Sequence, residues 1–235
     1  MDVRRWSTAV ACGDRCYRTA AQLAAWAVCS GLSHAAAASS VHTLVTDRDG
    51  QPVAEVVVYA LPVGGNLDRP EHVIEPAMEQ RDEQFQPHVL VVQTGTSVAF
   101  PNNDAVSHHV YSFSDAKRFE LPLYKGTAYP PVTFETAGVV DLGCNIHDHM
   151  EAHILVVDTP YFTTTGLDGR AELVGLPAGE YAIRVYTPRL KASALPEPQV
   201  VELSGARPAE LSVRFEDRLR PAHAAINVSL NWSRY

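Results

Sequence analysis

The chain has 235 residues, 46% of them apolar, and a formal charge of −8 at pH 7. That length allows one or two domains with buried cores, and the acidic balance disfavours nucleic acid and anionic membrane surfaces as partners. Beyond residue 40 no stretch approaches the roughly 18 consecutive apolar residues of a membrane helix.

The first forty residues read differently from the rest. Arg4, Arg5, Arg15 and Arg18 precede a mostly apolar run over 20–32, and Ala35-Ala36-Ala37-Ala38 then offers Ala-x-Ala cleavage sites. This is the pattern of a secretory signal peptide over 1–38, with export to the periplasm or the exterior. Thirteen residues with Gln22 among them are few for a bilayer, and an uncleaved anchor is the alternative. The Arg4-Arg5 pair hints at twin-arginine export without deciding between routes. Removal would take away Cys12, Cys16 and Cys29, leaving Cys144 alone, and with four Arg and two Asp gone the charge would become −10. A single unpaired thiol in an oxidising compartment calls for a reason, and metal coordination supplies one.

From Val41 the pattern is strand-like. Residues 41–46 alternate, Asp47-Arg48-Asp49-Gly50-Gln51-Pro52 reads as a turn, and 53–61 is an apolar run rich in Val; together they predict a hairpin. Residues 63–86 read as a loop with at most one short strand. Residues 88–93 and 96–100 flank Gly95 as the next strand pair, and a strand carries His108 and His109. Pro122, Gly126, Pro130 and Pro131 are expected to rule out a regular element over 119–131. Strands follow over 132–135, 139–144 and 152–157. Beyond Asp158 come further turns and alternating runs, ending with 199–203, 209–215 and a last strand over 226–232 or a loose tail. No ten residues after position 40 hold a 3.6-residue period, so the fold class is all-β, built as sandwiches of short antiparallel strands.

The chemistry concentrates in Gly143-Cys144-Asn145-Ile146-His147-Asp148-His149-Met150. A thiolate, an imidazole and a thioether stand at Cys-x2-His-x2-Met spacing directly after a strand. Soft sulfur with imidazole selects copper, and two His and one Cys with a weak axial Met define the blue-copper site. The second His falls to His108. Alone, a Cys in a strand is most often a small buried hydrophobe; order, spacing and residue type jointly favour a metal site. His149 and His153 read as solvated residues, Met78 as core or loop, and Glu79 as surface. His42, His72, His88 and His223 show no usable spacing.

Asn-Asn-x4-His-x-Val followed by Cys-x2-His-x2-Met resembles the copper site of the plastocyanin and amicyanin group of cupredoxins, amicyanin most in its short Cys-to-Met loop. The run over 85–100 is similar to the strands that precede the first His in such proteins, and the likeness spans about 75–157. The resemblance implies one Cu(I)/Cu(II) per chain, with His108, Cys144 and His147 as strong ligands and Met150 as the long axial one. Asn103, His109, Asn145 and Asp148 would support them. Position 109 holds His where the family often has Asn. Position 148 holds Asp, whose carboxylate would raise the proton affinity of His147 and lower the copper potential.

A second resemblance joins 45–58 to 163–185, which look like the opening and middle of a carboxypeptidase regulatory-like, transthyretin-like β-sandwich. The implied organisation is a signal peptide (1–38), the first hairpin of that sandwich (39–74), an inserted Greek-key copper domain (75–157), the remainder of the sandwich (158–217) and a final strand or tail (218–235). Alternatively 41–61 pairs into the copper domain. The expected function is a periplasmic one-electron carrier, not an enzyme, with His147 as the electron's exit, Ile146 and Pro101 as its apolar rim, and a basic redox partner. A copper-binding or delivery protein, or a non-redox structural module, would be the other readings.

Overall fold

The computed structural model describes residues 39–64, 76–205 and 207–222; the expected signal peptide and the expected strand over 226–232 lie outside them. The described residues form β1 (Ser39–Thr46), β2 (Val57–Pro62), β3 (Glu79–Arg81), β4 (Gln84–Gln86), β5 (Val89–Gln93), β6 (Thr96–Val98), β7 (His108–Ser114), β8 (Lys117–Tyr124), β9 (Val132–Phe134), β10 (Gly138–Cys144), β11 (Glu151–Val157), β12 (Phe162–Thr164), β13 (Arg170–Leu176), β14 (Gly179–Tyr186), β15 (Gln199–Leu203) and β16 (Ala209–Arg214). A single 3-10 turn, Ala192–Ala194, is the one helical element among them. The fold is all-β.

Two apolar cores organise these strands. One lies between the sheets β13-β1-β16 and β12-β2-β14-β15 and joins Val41, Val45, Val56 and Val58 to Leu173, Ile183, Leu203 and Phe215. The other lies beneath the sheet β5-β11-β10-β7-β8 and the small pairs β3-β4 and β6-β9, and gathers Met78, Phe85, Phe100, Phe134, Leu142 and Ile154. Val57 and Tyr186 from the first group of sheets meet Leu155 and Val157 from the second in a third cluster. That contact explains why 56–58 and 154–157 are continuously buried rather than alternating: both faces of these strands are covered.

Four expectations are corrected. Residues 63–86 hold two short paired strands, β3 and β4, rather than at most one. Residues 41–61 do not form a simple hairpin. Asp47 Oδ1 accepts the N–H groups of Asp49 and Gln51, and Thr46 bridges Pro52, but the chain then leaves at Glu55 (φ 59°) and β2 joins the other sheet. The apolar run there is buried on both faces, which one hairpin face could not provide. Thr165 staples the crossing, its hydroxyl bonding Val53 O at 2.7 Å and receiving Val56 N–H at 3.0 Å. Likewise β5 and β6 do not pair. β5 lies parallel to β11 and β6 antiparallel to β9, because Thr94 N–H donates to Val157 O and Gly95 N–H to Phe134 O, sending the chain across the core. Finally, 119–131 is not free of regular structure: β8 runs through Pro122 at the edge of its sheet, where a missing N–H faces no partner strand.

Gly169 (φ +73°) closes the turn before β13, and a Cβ there would lie 2.5 Å from Val45 O and 2.9 Å from Pro52 Cβ. Gly50 (φ +79°) faces open space. Gly169→Ala is therefore expected to destabilise by more than about 2 kcal/mol, conformational strain plus a backbone clash, and Gly50→Ala by about 1 kcal/mol from strain alone. Denaturant midpoints of the two variants check the ordering.

Candidate metal centre

β7 alternates, with His108, Val110 and Ser112 buried, and β10 buries Val140, Leu142 and Cys144. Antiparallel pairing sets Cys144 opposite Val110, so the Cys144 and His108 side chains share the inward face at one end of the sheet. The loop after β10 is fixed by Asn145 N–H to His109 O and by Met150 N–H to His147 O, each at 3.0 Å. It folds His147 back over Cys144.

The result is a small triangle of donor atoms. Cys144 Sγ lies 3.7 Å from His108 Nδ1 and 3.7 Å from His147 Nδ1, and the two nitrogens are 3.2 Å apart. The centre of that triangle is roughly 2 Å from each corner, the range in which imidazole nitrogen and thiolate sulfur hold a first-row metal. His108 is fully buried, Cys144 is 3% exposed and Met150 2%. Met150 belongs to the same core cluster as Cys144 and, with it, lines a groove of about 510 Å³ bordered by Tyr111, Phe113 and Asp148. Among the described residues this His108, Cys144 and His147 set is the one cluster of His, Cys and carboxylate donors close enough to grip a single ion.

Burial pushes the Cys144 thiol up, but the His108 ring, the backbone N–H groups of His109 and Ile146 and the His147 ring overcome it and bring its pKa to about 6. Burial pulls His108 down, and its bonds to Cys144 and Asp104 raise it beyond that loss. Asp104 Oδ2 sits 2.6 Å from His108 Nε2. A carboxylate there accepts the Nε2 proton and turns Nδ1 toward Cys144 and His147, where it donates to the thiolate in the metal-free protein and could ligate a metal in that proton's place. Desolvation works against the Asp104 carboxylate, yet His108 and the N–H groups of Glu83 and Asp82 hold it below the usual range.

The expected supporting residues are distributed unevenly. Asn103 is exposed and bonds Glu79, away from the ligands. Its neighbours take the role instead: Asn102, buried, donates to Val106 O at 3.0 Å and Tyr124 O at 2.8 Å and accepts Asp104 N–H at 2.9 Å. His109 acts through its backbone, while its ring pairs with Glu120 at 2.7 Å. Asn145 contributes its N–H, and Asp148 lies exposed on the groove. The carboxylate found facing His147 is that of Glu83, 4.0 Å from Nε2. His153 pairs with Asp141 at 2.7 Å. Asp104 and Glu83 escaped the sequence reading. Asp104 had a weak signal, a carboxylate four residues before a ligand; Glu83 had none.

No sequence family matches the chain, and no curated protein does. Among solved structures, an amicyanin mutant in its Cu(I) state aligns over 35% of this chain and 82% of its own, at 22% identity and TM-score 0.32. A purple cupredoxin from Nitrosopumilus maritimus aligns over 35% of this chain and 100% of its own, at 21% identity and TM-score 0.32. A Cu-containing nitrite reductase from Thermus scotoductus SA-01 aligns over 50% of this chain but 28% of its own, at 23% identity and TM-score 0.35. At such scores the function is left to the site's own atoms. No helix among the described residues is long and apolar enough to cross a membrane.

In the metal-free protein the Cys144 thiolate is expected to appear with a midpoint near pH 6 in ultraviolet absorbance, a transition absent from Cys144→Ser. Because the folded pKa lies below the unfolded value of about 8.5, the stabilisation this group contributes is complete above that pH and is lost as pH falls through about 6. The stability difference between wild type and Cys144→Ser should narrow over that interval.

Proposed function

We propose that this chain is a type 1 copper protein that carries one electron at a time, and that it is not an enzyme. The observation that carries the reading is the triangle of Cys144 Sγ, His108 Nδ1 and His147 Nδ1, with sides of 3.7, 3.7 and 3.2 Å. His108, Cys144 and His147 would hold the ion, with Met150 beside them, and copper would supply a reversible Cu(I)/Cu(II) couple. The protein's part is a frame that does not move. His108 and Cys144 stand on paired strands, Asp104 locks one ring, and two backbone bonds fix the loop of the other. Ligands already held in place need little rearrangement when the charge changes by one.

His147 is 19% exposed whereas His108 is fully buried, and its neighbour Ile146 is 50% exposed. An imidazole edge at the surface with an apolar neighbour suits electron exit to a docked protein. The charge of −8 and the carboxylate of Asp148 favour a basic redox partner. We further propose export through the N-terminal segment, and a copper domain over 75–157 inserted into a sandwich made from 39–74 and 158–217. What supports the insertion is pairing: β1 with β13 and β16, and β2 with β12 and β14.

Adding Cu(II) to the purified protein is expected to produce an intense visible charge-transfer band with reversible voltammetry. Cys144→Ser should abolish the band, and Met150→Gln should keep copper while lowering the potential. A wild-type protein that binds copper without the band, or a Cys144→Ser variant that keeps it, would overturn the assignment. Ala60 N–H donates to Tyr161 O at 2.9 Å, so the ends of the inserted segment are adjacent. Replacing 65–158 by a short glycine linker is expected to leave a cooperatively folding sandwich; loss of cooperative melting would show that the sandwich depends on the segment whose Leu155 and Val157 pack on Val57 and Tyr186, and would overturn its reading as an independent insertion.

A further inference from the structure

The β3-β4 turn breaks a conformational rule. Asp82 and Glu83 both have positive φ, 54° and 53°, the geometry of a tight hairpin turn in which Asn-Gly or Asp-Gly is favoured. Among the described residues only one other non-glycine, Glu55, has positive φ. For a glutamate the conformation costs on the order of 1 kcal/mol, which glycine would avoid. Strain of this kind persists where the surrounding structure makes use of it.

The turn reaches both imidazoles. From its backbone, the N–H groups of Asp82 and Glu83 donate to Asp104 Oδ1 and Oδ2 at 2.5 and 3.0 Å, and the same Oδ2 holds His108 Nε2. From its side chain, Glu83 Oε2 lies 4.0 Å from Nε2 of His147 and 3.7 Å from Nε2 of His149. The hairpin is itself anchored. Met78 and Phe85 are buried in the core, Gln80 N–H donates to Pro101 O, and Asn103 N–H to Gln80 O, each at 2.9 Å. The strands therefore dock along the loop that leads to His108, and the turn overhangs the loop that carries His147.

We propose that Glu83 is a positioning residue of the metal centre. Its turn clasps His108 through Asp104 and His147 through the Glu83 carboxylate, and glutamate occupies a position fit for glycine because the carboxylate is needed there. The inference rests on the copper reading. His147 turns Nδ1 toward Cys144, so Nε2 is its outward nitrogen, and a negative charge 4.0 Å from it, too far for a hydrogen bond, acts through space to favour the more highly charged oxidation state of the bound ion. Loop geometry alone would be served better by glycine.

The test uses Glu83→Gly and Glu83→Gln in the full chain, with Asp115→Asn as a charge control; Asp115 pairs with Arg118 beyond the end of β7 opposite to His108. Glu83→Gly keeps the backbone donor to Asp104 and relieves the positive φ, so the metal-free variant is expected to be more stable than wild type. The ratio of Cu(II) to Cu(I) affinity should nevertheless fall about 10-fold, read as a rise in reduction potential of about 59 mV. Glu83→Gln should raise the potential without the gain in stability, and Asp115→Asn should move neither. Unchanged potential and visible spectrum in both Glu83 variants, or an equal shift in Asp115→Asn, would overturn the proposal. Should the wild type show no reversible copper couple, the copper reading itself has failed, and the clasp is judged on metal-free protein by ring-nitrogen NMR shifts. Movement of His147 and His149 signals in Glu83→Gln supports it, and their constancy refutes it.

Discussion

Three electron-rich atoms, two imidazole nitrogens 3.2 Å apart and a sulfur 3.7 Å from each, are held together in a largely dry pocket. Unshared pairs pointed at one another repel, and only a proton or a cation among them turns the arrangement into a favourable one. The rest of this end of the fold maintains that arrangement. β7 and β10 bring two of the atoms to one face, the backbone bonds of Asn145 and Met150 deliver the third, and Asp104 denies the His108 ring any other orientation.

The larger architecture keeps that frame stiff. β10 lies in the interior of its sheet between β7 and β11, so Cys144 sits on a strand with partners on both sides. β11 is buried on both faces because Leu155 and Val157 meet Val57 and Tyr186 from the other sandwich. Burial of this kind contributes about 25 cal/mol per Å² of apolar surface and is lost all at once if the strands part. The loop holding His147 is tied to that sheet by the Asn145 backbone bond, so the partly exposed donor is held against the two buried ones.

Much of the site was legible in the sequence because ligand chemistry is local: Cys144, His147 and Met150 fall within seven residues, and His108 opens the strand that pairs with β10. The partners that orient the ligands were not. Asp104 matters because the hairpin over 79–86 packs on the loop after Phe100, and Glu83 matters because that hairpin overhangs another loop some sixty residues further on; neither contact leaves a period or a motif. The strands were legible from alternation and apolar runs, but their pairing was not. Turns at Asp47 and Gly95 are real, yet a turn signal does not say whether the next strand returns to the same sheet or crosses the core, and burial on both faces decided for crossing. Pro122 misled for a related reason, since its cost depends on whether the strand is an edge.

With copper bound as proposed, the charges around it set a preference. Cu(II) with one thiolate carries a net charge of +1, which the half-buried carboxylate of Asp104 would compensate through the His108 ring, while Cu(I) with the same thiolate is neutral and would leave that carboxylate uncompensated except by the N–H groups of Asp82 and Glu83. The carboxylate therefore favours the oxidised form. Met150, a soft thioether in an apolar surround, would favour the reduced one as the proposed axial ligand. Opposed in this way, the two would bring the oxidation states closer in free energy than either alone, the balance that a carrier accepting and releasing one electron would need. By the same logic a second carboxylate, that of Glu83, set near the partly exposed His147 ring rather than the buried one, would adjust that balance from the side on which a partner would dock.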